Sequence, residues 1–212
     1  PPNLLSISVI GGLDAVANHS NSPIHWPASE IARQVARRDI SATEVTQAFV
    51  ERIKAVNPQL NAVVVPRFDA ALSEAAAADE RQARGEQLGA LHGVPITLKE
   101  CFHLAGTPST IGLTSAEPHQ PVEEDGLLVR RLRQAGAIVL GKTNVRQLMI
   151  WNQSDNPVYG RTNNPWNFSR TCGGSSGGEA SIIAGRGSPL GLGNDLGGRI
   201  RIPCHFCGIH GI

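Results

Sequence analysis

Apolar side chains first recur at helical spacing after Ser29, at Ile31, Val35 and Ile40. That spacing predicts a helix that buries one face. A second stripe, Val45, Phe49, Ile53 and Val56, falls on one side of a longer helix. It follows Ser41-Ala42-Thr43-Glu44, a capping box in which the serine hydroxyl accepts from the third amide and the glutamate reaches back. Pro58 is the expected stop, because proline lacks an N–H and crowds the preceding turn. Residues 69–84 are alanine-rich with one polar side, which predicts a third helix ending near Gly85. Beyond it the texture changes. Val94-Pro95-Ile96-Thr97-Leu98, bounded by Gly93 and by Lys99-Glu100, predicts a buried strand. Residues 123–134 predict a helix stopped by Gly136, and Ile138-Val139-Leu140 a second strand. Strand and helix alternate, which favours an α/β sheet. Residues 1–27 lack a clear period and are expected to form an arm ahead of one unit over 28–212.

Bulk properties narrow the function classes. The chain has 212 residues, 41% hydrophobic and 17% charged, which is a globular composition rather than a disordered one. Its net charge of +1, with both signs scattered, implies no polyanionic partner. Aromatic residues are too few, and too far from basic ones, to make a stacking platform for nucleic acid. No apolar run reaches the ~18 residues of a membrane span. No basic segment leads into an apolar core as in a signal peptide. Cys101, Cys172, Cys204 and Cys207 do not read as a disulfide framework, so a reducing compartment and a cytoplasmic location are expected.

Two motif matches fail on physical grounds. Gly136 to Thr143 fits the spelling of a phosphate-binding loop, but its middle residues are Ala, Ile, Val and Leu, which form a strand and not a pliant turn. Pro203-Cys204-His205-Phe206-Cys207 matches half of a zinc deaminase signature, and the His-x-Glu half is missing. Cys204 and Cys207 read better as small buried hydrophobes than as metal ligands with His205 or His210. No metal or cofactor is expected.

Two glycine-rich segments remain. In Thr171-Cys172-Gly173-Gly174-Ser175-Ser176-Gly177-Gly178-Glu179, four glycines flank adjacent serines. Such a turn can present hydroxyls and amides to one point, and the apolar residues from Ala180 onward read as a helix start. In the run from Gly191 to Pro203, the pair Gly197-Gly198 makes a tight turn whose successive amides can stabilise an oxyanion.

At these residues the chain resembles the amidase-signature family, and looks most like its fatty-acid-amide-hydrolase-type members. The resemblance rests on Gly93 to Glu100, Cys172 to Glu179, Ser188 to Gly193 continuing through Ile202-Pro203, and Asn156 to Trp166. It covers roughly residues 28–212. It implies the N-terminal part of an amidase-signature fold, a mixed sheet covered by helices, in a family whose domains continue with further strands and helices. It also implies hydrolysis of carboxylic amides through an acyl-enzyme, with a small-molecule amide as partner and homo-oligomers left open. Lys99 matches the buried lysine that acts as base and then as acid. Ser175 matches the middle serine, which relays a proton and usually follows a cis peptide. Ser176 matches a neighbour that hydrogen-bonds the lysine. Leu196, Gly197, Gly198 and residue 199 match the amides of the oxyanion hole. A free lysine, with a pKa of about 10.4, is a poor base at neutral pH, so burial has to lower that value.

The sequence departs from the family where it matters most. Arg199 stands at the position of the nucleophilic serine, and Asn194 at that of the preceding Thr or Ser. Arginine stays protonated, so it is neither nucleophile nor base. Its bulk is also expected to fit the corner poorly. Asp195 and Glu100 are expected to pair with nearby arginines such as Arg199 or Arg201. Two readings follow: a hydrolase by descent whose activity is impaired, or an inactive relative in which Arg199 and Lys99 hold an anionic or amide ligand.

Overall fold

The apolar stripe of the second helix becomes the spine of the core. In the computed structural model, which describes residues 22–114 and 120–212, α1 (Ala28–Ala36) is followed by α2 (Ala42–Leu60), which buries Val45, Phe49, Ile53, Val56 and Leu60. The predicted capping box forms: the Ser41 hydroxyl accepts from the Glu44 amide, and the Glu44 carboxylate accepts from the Ser41 amide. Asp79 adds a second cap by accepting from the Ala42 and Thr43 amides at 2.7 and 3.0 Å. Pro23–His25 forms a short 3-10 turn ahead of α1, and Ile24 and Trp26 pack against the same core.

Pro58 does not stop α2, contrary to expectation. The helix runs through it to Leu60 and ends at Asn61, which is left-handed at φ 49°. Leu60 is fully buried, so packing holds the last turn in place. The Asn57 side chain then ties the exit together by accepting from the Ala62 and Val63 amides and donating to the Val63 carbonyl, each at 2.8 Å.

From there the chain enters β1 (Val63–Pro66), α3 (Phe68–Ala83), β2 (Pro95–Lys99), α4 (Leu127–Gln134) and β3 (Ile138–Thr143). Both predicted strands form, each a residue or more longer at the polar end. Helix α4 starts at Leu127, four residues later than predicted. The backbone ahead of it is spent elsewhere: Val122 and Gly126 donate to the Thr107 and His103 carbonyls. Asp125 accepts from the Ala105 amide.

Four short strands follow, β4 (Asp155–Asn156), β5 (Gly160–Arg161), β6 (Asn163–Asn164) and β7 (Asn167–Thr171). Then come α5 (Gly177–Ala184), β8 (Gly191–Leu192) and α6 (Arg201–Cys207). The main sheet has the order β1-β3-β2-β8, with β1 antiparallel to β3 and the rest parallel. It is therefore mixed and covered by helices, as the resemblance implied. Gly136 to Thr143 is a turn leading into a fully buried strand, so the phosphate-loop spelling carries no phosphate cradle. Cys172 and Cys207 are fully buried and pack with Ala180 in a second small core. Burial pushes the Cys172 thiol up to about 12 and the Cys207 thiol well above its usual range.

The register of β2 and β3 places Lys99 beside Thr143, and Leu98 beside Lys142. Two lysines therefore end fully buried at the carboxyl edge of adjacent parallel strands. Parallel sheets commonly place their chemistry at that edge.

Because Phe49 is the largest apolar side chain buried in this core, Phe49→Ala should cost roughly 3–5 kcal/mol of unfolding free energy in urea titration. A loss below about 1 kcal/mol would show that α2 is not the spine of the core.

Candidate active site

Lys99 ends β2 with its side chain fully buried. Its Nζ donates to Ser175 Oγ at 2.7 Å and to Asn194 Oδ1 at 2.5 Å. Burial lowers its pKa from the ordinary lysine value to about 8, and the nearby Arg199 charge pushes the same way, while Cys101, Glu179 and Asp195 oppose. At that value roughly a tenth of the amine is neutral at pH 7, several hundredfold more than at the ordinary lysine value, and a base requires that neutral form.

Ser175 sits at the head of α5, fully buried, and the Gly174–Ser175 peptide is cis. Helix α5 begins at Gly177, three residues earlier than predicted. A Cβ on Gly178 would lie 2.5 Å from the Asn144 amide nitrogen, so only glycine lets the turn pack this closely on the loop after β3. Ser176, expected to bond the lysine, does not reach it. Its hydroxyl donates to the Asn194 carbonyl at 3.4 Å, and its amide donates to the Arg199 carbonyl at 3.2 Å.

The second glycine segment is organised by Asp195. Its carboxylate accepts from the Gly198, Ile200 and Arg201 amides at 2.6, 3.0 and 3.1 Å, and from two Arg201 guanidinium nitrogens at 3.0 and 2.9 Å. Pairing with Arg201 holds that carboxyl far below the usual range. Gly198 turns the corner at φ 92°, a conformation that strains other residues. Its amide, expected to face an oxyanion, is occupied by Asp195. Among the described residues, the amides of Leu196, Gly197 and Arg199 make no hydrogen bond within the chain. Leu196 is 91% exposed, which leaves this part of the turn open to solvent.

Arg199 fits this corner after all, because its side chain finds partners beyond the turn. Nε donates to the Met149 carbonyl at 2.6 Å and Nη2 to the Ile150 carbonyl at 3.3 Å. In the segment that supplies those carbonyls, Leu148 and Met149 are both left-handed, at φ 54° and 59°. Each such non-glycine residue costs roughly 1–3 kcal/mol. The Leu148 amide bond to the Ile111 carbonyl at 2.9 Å helps to hold the segment there. Arg199 does not pair with Asp195. Glu100 pairs with no arginine, and instead accepts from the Thr110 and Ile111 amides at 2.5 and 2.9 Å.

Three participants escape a reading of the residues alone. Asn194 is legible only as a departure from the family, yet its amide oxygen is the lysine's second acceptor. Glu179 is nearly fully buried beneath the site and accepts from Thr97 Oγ1 at 2.6 Å and Thr143 Oγ1 at 2.8 Å, linking β2, β3 and α5. Burial raises its pKa to about 7. A lone carboxylate entering an apolar helix was the available signal for it. Lys142 donates to the Pro108 carbonyl and to Ser109 Oγ, and burial lowers its pKa to about 8. Among the described residues no cluster of His, Cys, Asp or Glu could hold a metal ion. No described helix is long and apolar enough to cross a membrane.

The amidase family profile matches residues 44–212 of this chain. The chain belongs to the amidase family. Fatty-acid amide hydrolase 2-A of Danio rerio is 47% identical over 207 residues, an alignment covering 94% of this chain and 39% of that protein. Indoleacetamide hydrolase of Bradyrhizobium diazoefficiens is 44% identical over 184 residues, covering 87% of this chain and 35% of that protein. The solved structure of a fatty acid amide hydrolase superposes with a TM-score of 0.82 at 31% identity, covering 86% of this chain and 32% of the other. The chain thus spans under two fifths of the length of these curated amidases.

The two buried lysines give the chain a pH signature. A lysine whose folded pKa is depressed binds fewer protons folded than unfolded between about 8 and 10.5. Below pH 8 its burial therefore costs stability, up to about 3 kcal/mol for each group, and the cost fades as pH rises through that window. Carbon NMR of lysine-labelled protein should show two midpoints near 8, removed one at a time by Lys99→Met and Lys142→Met. The stability of Lys99→Met relative to the parent should fall between pH 8 and 10.5. A Lys99 midpoint near 10.5 would contradict the site as described.

Proposed function

We propose that this chain carries the proton-transfer half of an amide hydrolase, assembled around Lys99 and Ser175, with the nucleophile replaced by Arg199. The single observation that carries the reading is the lysine pair: a fully buried amine 2.7 Å from a fully buried serine hydroxyl, at the carboxyl edge of the sheet. In such a pair the neutral amine takes a proton from Ser175, and Ser175 in turn takes one from a nucleophilic hydroxyl beside it. The amine later returns the proton to the departing nitrogen. The turn at Leu196, Gly197 and residue 199 supplies amides for the oxyanion of a tetrahedral intermediate. Residue 199 would be the attacking group, and an arginine has no proton it can lose in this range. The chemistry needs no cofactor.

The substrate class is a small carboxylic amide attacked at its C–N bond, in keeping with the amide hydrolases among the relatives. Residues 28–212 are assigned to the N-terminal part of an amidase unit; of the arm expected over 1–27, residues 1–21 lie outside the described residues. Four free cysteines, three of them buried, suit a reducing, cytoplasmic setting.

On a panel of aryl and fatty amides, the unmodified chain should release no amine, whereas Arg199→Ser should turn over at least one member. Turnover by the unmodified chain would overturn the assignment of residue 199. Inactivity of both would show that a hydroxyl at residue 199 is not enough to complete the site.

A further inference from the structure

The guanidinium of Arg199 is anchored on one side only. Of its five N–H groups, the one on Nε and one on Nη2 are spent on the Met149 and Ile150 carbonyls. Nη1 lies over the glycine turn, where a Cβ placed on Gly197 would be 3.2 Å from it. The same turn holds the unpartnered amides of Leu196, Gly197 and Arg199. The Asn194 side chain presents its oxygen to Lys99, which leaves its NH2 as a further donor. Several donors, one of them a cation held by two carbonyls, thus lie within residues 194–199. The carboxylate there, Asp195, is already met by three amides and by Arg201, so its charge is largely compensated.

Beside these donors is an open cavity of about 290 Å3, lined by Leu148, Met149, Ile150, Asn194, Leu196 and Arg199 together with Asp195. Its apolar walls are unusually bare: Ile150 is 65% and Leu196 91% exposed. Pockets that bind small molecules combine such apolar lining with a few polar groups that fix orientation.

We propose that Arg199 converts the oxyanion turn into a receptor for an apolar-tailed monocarboxylate, the carboxylate meeting Arg199 and the free amides while the tail lies along Leu148, Ile150 and Leu196. The inference rests on the reading that residue 199 is not a nucleophile. A transient oxyanion needs donors only during reaction, whereas a stable carboxylate needs a permanent counter-charge, and a planar guanidinium supplies one with matched geometry. The neutral amide of the same acid offers no charge to Arg199 and should bind less well.

The probe is octanoate, compared with octanamide by calorimetry on the unmodified chain at about pH 7, with ammonia release followed in the same samples. Octanoate should bind at least about tenfold more tightly than octanamide, and should weaken as sodium chloride is raised from about 0.05 to 0.5 M. Arg199→Gln should lose that preference while keeping its circular dichroism and thermal midpoint. Amide NMR shifts on octanoate addition should centre on Leu196, Gly197 and Arg199, which holds the test open even if the variant folds poorly. Equal binding of acid and amide, no octanoate binding, or shifts centred elsewhere would each overturn the receptor. Ammonia released from octanamide would instead overturn the reading of residue 199, separately from the binding result.

Discussion

An amine that loses all contact with water must still find acceptors, and the position of Lys99 makes this the governing constraint of the molecule. Leaving a buried polar group unpaired costs several kcal/mol. Strand β2 carries Lys99 into the interior, so the two glycine segments must bring their acceptors to it. One supplies Ser175 Oγ and the other Asn194 Oδ1. The close packing of Gly178 on Asn144 serves the first requirement. The pairing of β8 with β2 serves the second, since it fixes the chain just ahead of Asn194. Glu179, beneath, ties β2 and β3 to α5 through two threonine hydroxyls. The acceptors for the amine are thus set by the sheet and α5 rather than by loops alone.

The turn at 195–201 obeys a different constraint. Its shape comes from Asp195, which gathers three amides and Arg201 into one cluster. That cluster is complete without residue 199. Arg199 can therefore sit in the turn without collapsing it, provided its side chain finds partners elsewhere. It finds them in two carbonyls some fifty positions earlier in the chain. The framework of the turn thus stands independently of the side chain at 199.

What could be read in advance divides along the same line. Periodic segments declared themselves: the stripe of α2, its capping box, α3 and the two buried strands depend on local pattern. Boundaries set by distant partners did not. Pro58 failed to end α2 because Leu60 packs into the core, and α4 starts late because Val122, Asp125 and Gly126 bond to residues 103–107. Strands β1 and β8 are too short to carry a period. At the site, the glycine spacing and the resemblance pointed to Lys99, Ser175 and the turn at 196–199. The Ser176 contact, the occupied Gly198 amide and the fit of Arg199 depended on neighbours that sequence spacing does not reveal.

The central claim, an intact lysine–serine relay beside a missing nucleophile, is tested most directly with a serine-reactive fluorophosphonate and peptide mapping. The unmodified chain should remain unlabelled. Arg199→Ser should be labelled at residue 199, with a rate that rises through pH 8 as Lys99 loses its proton and that Lys99→Ala abolishes. Label on Ser175 or Ser176 of the unmodified chain, or labelling of Arg199→Ser that ignores Lys99, would contradict it.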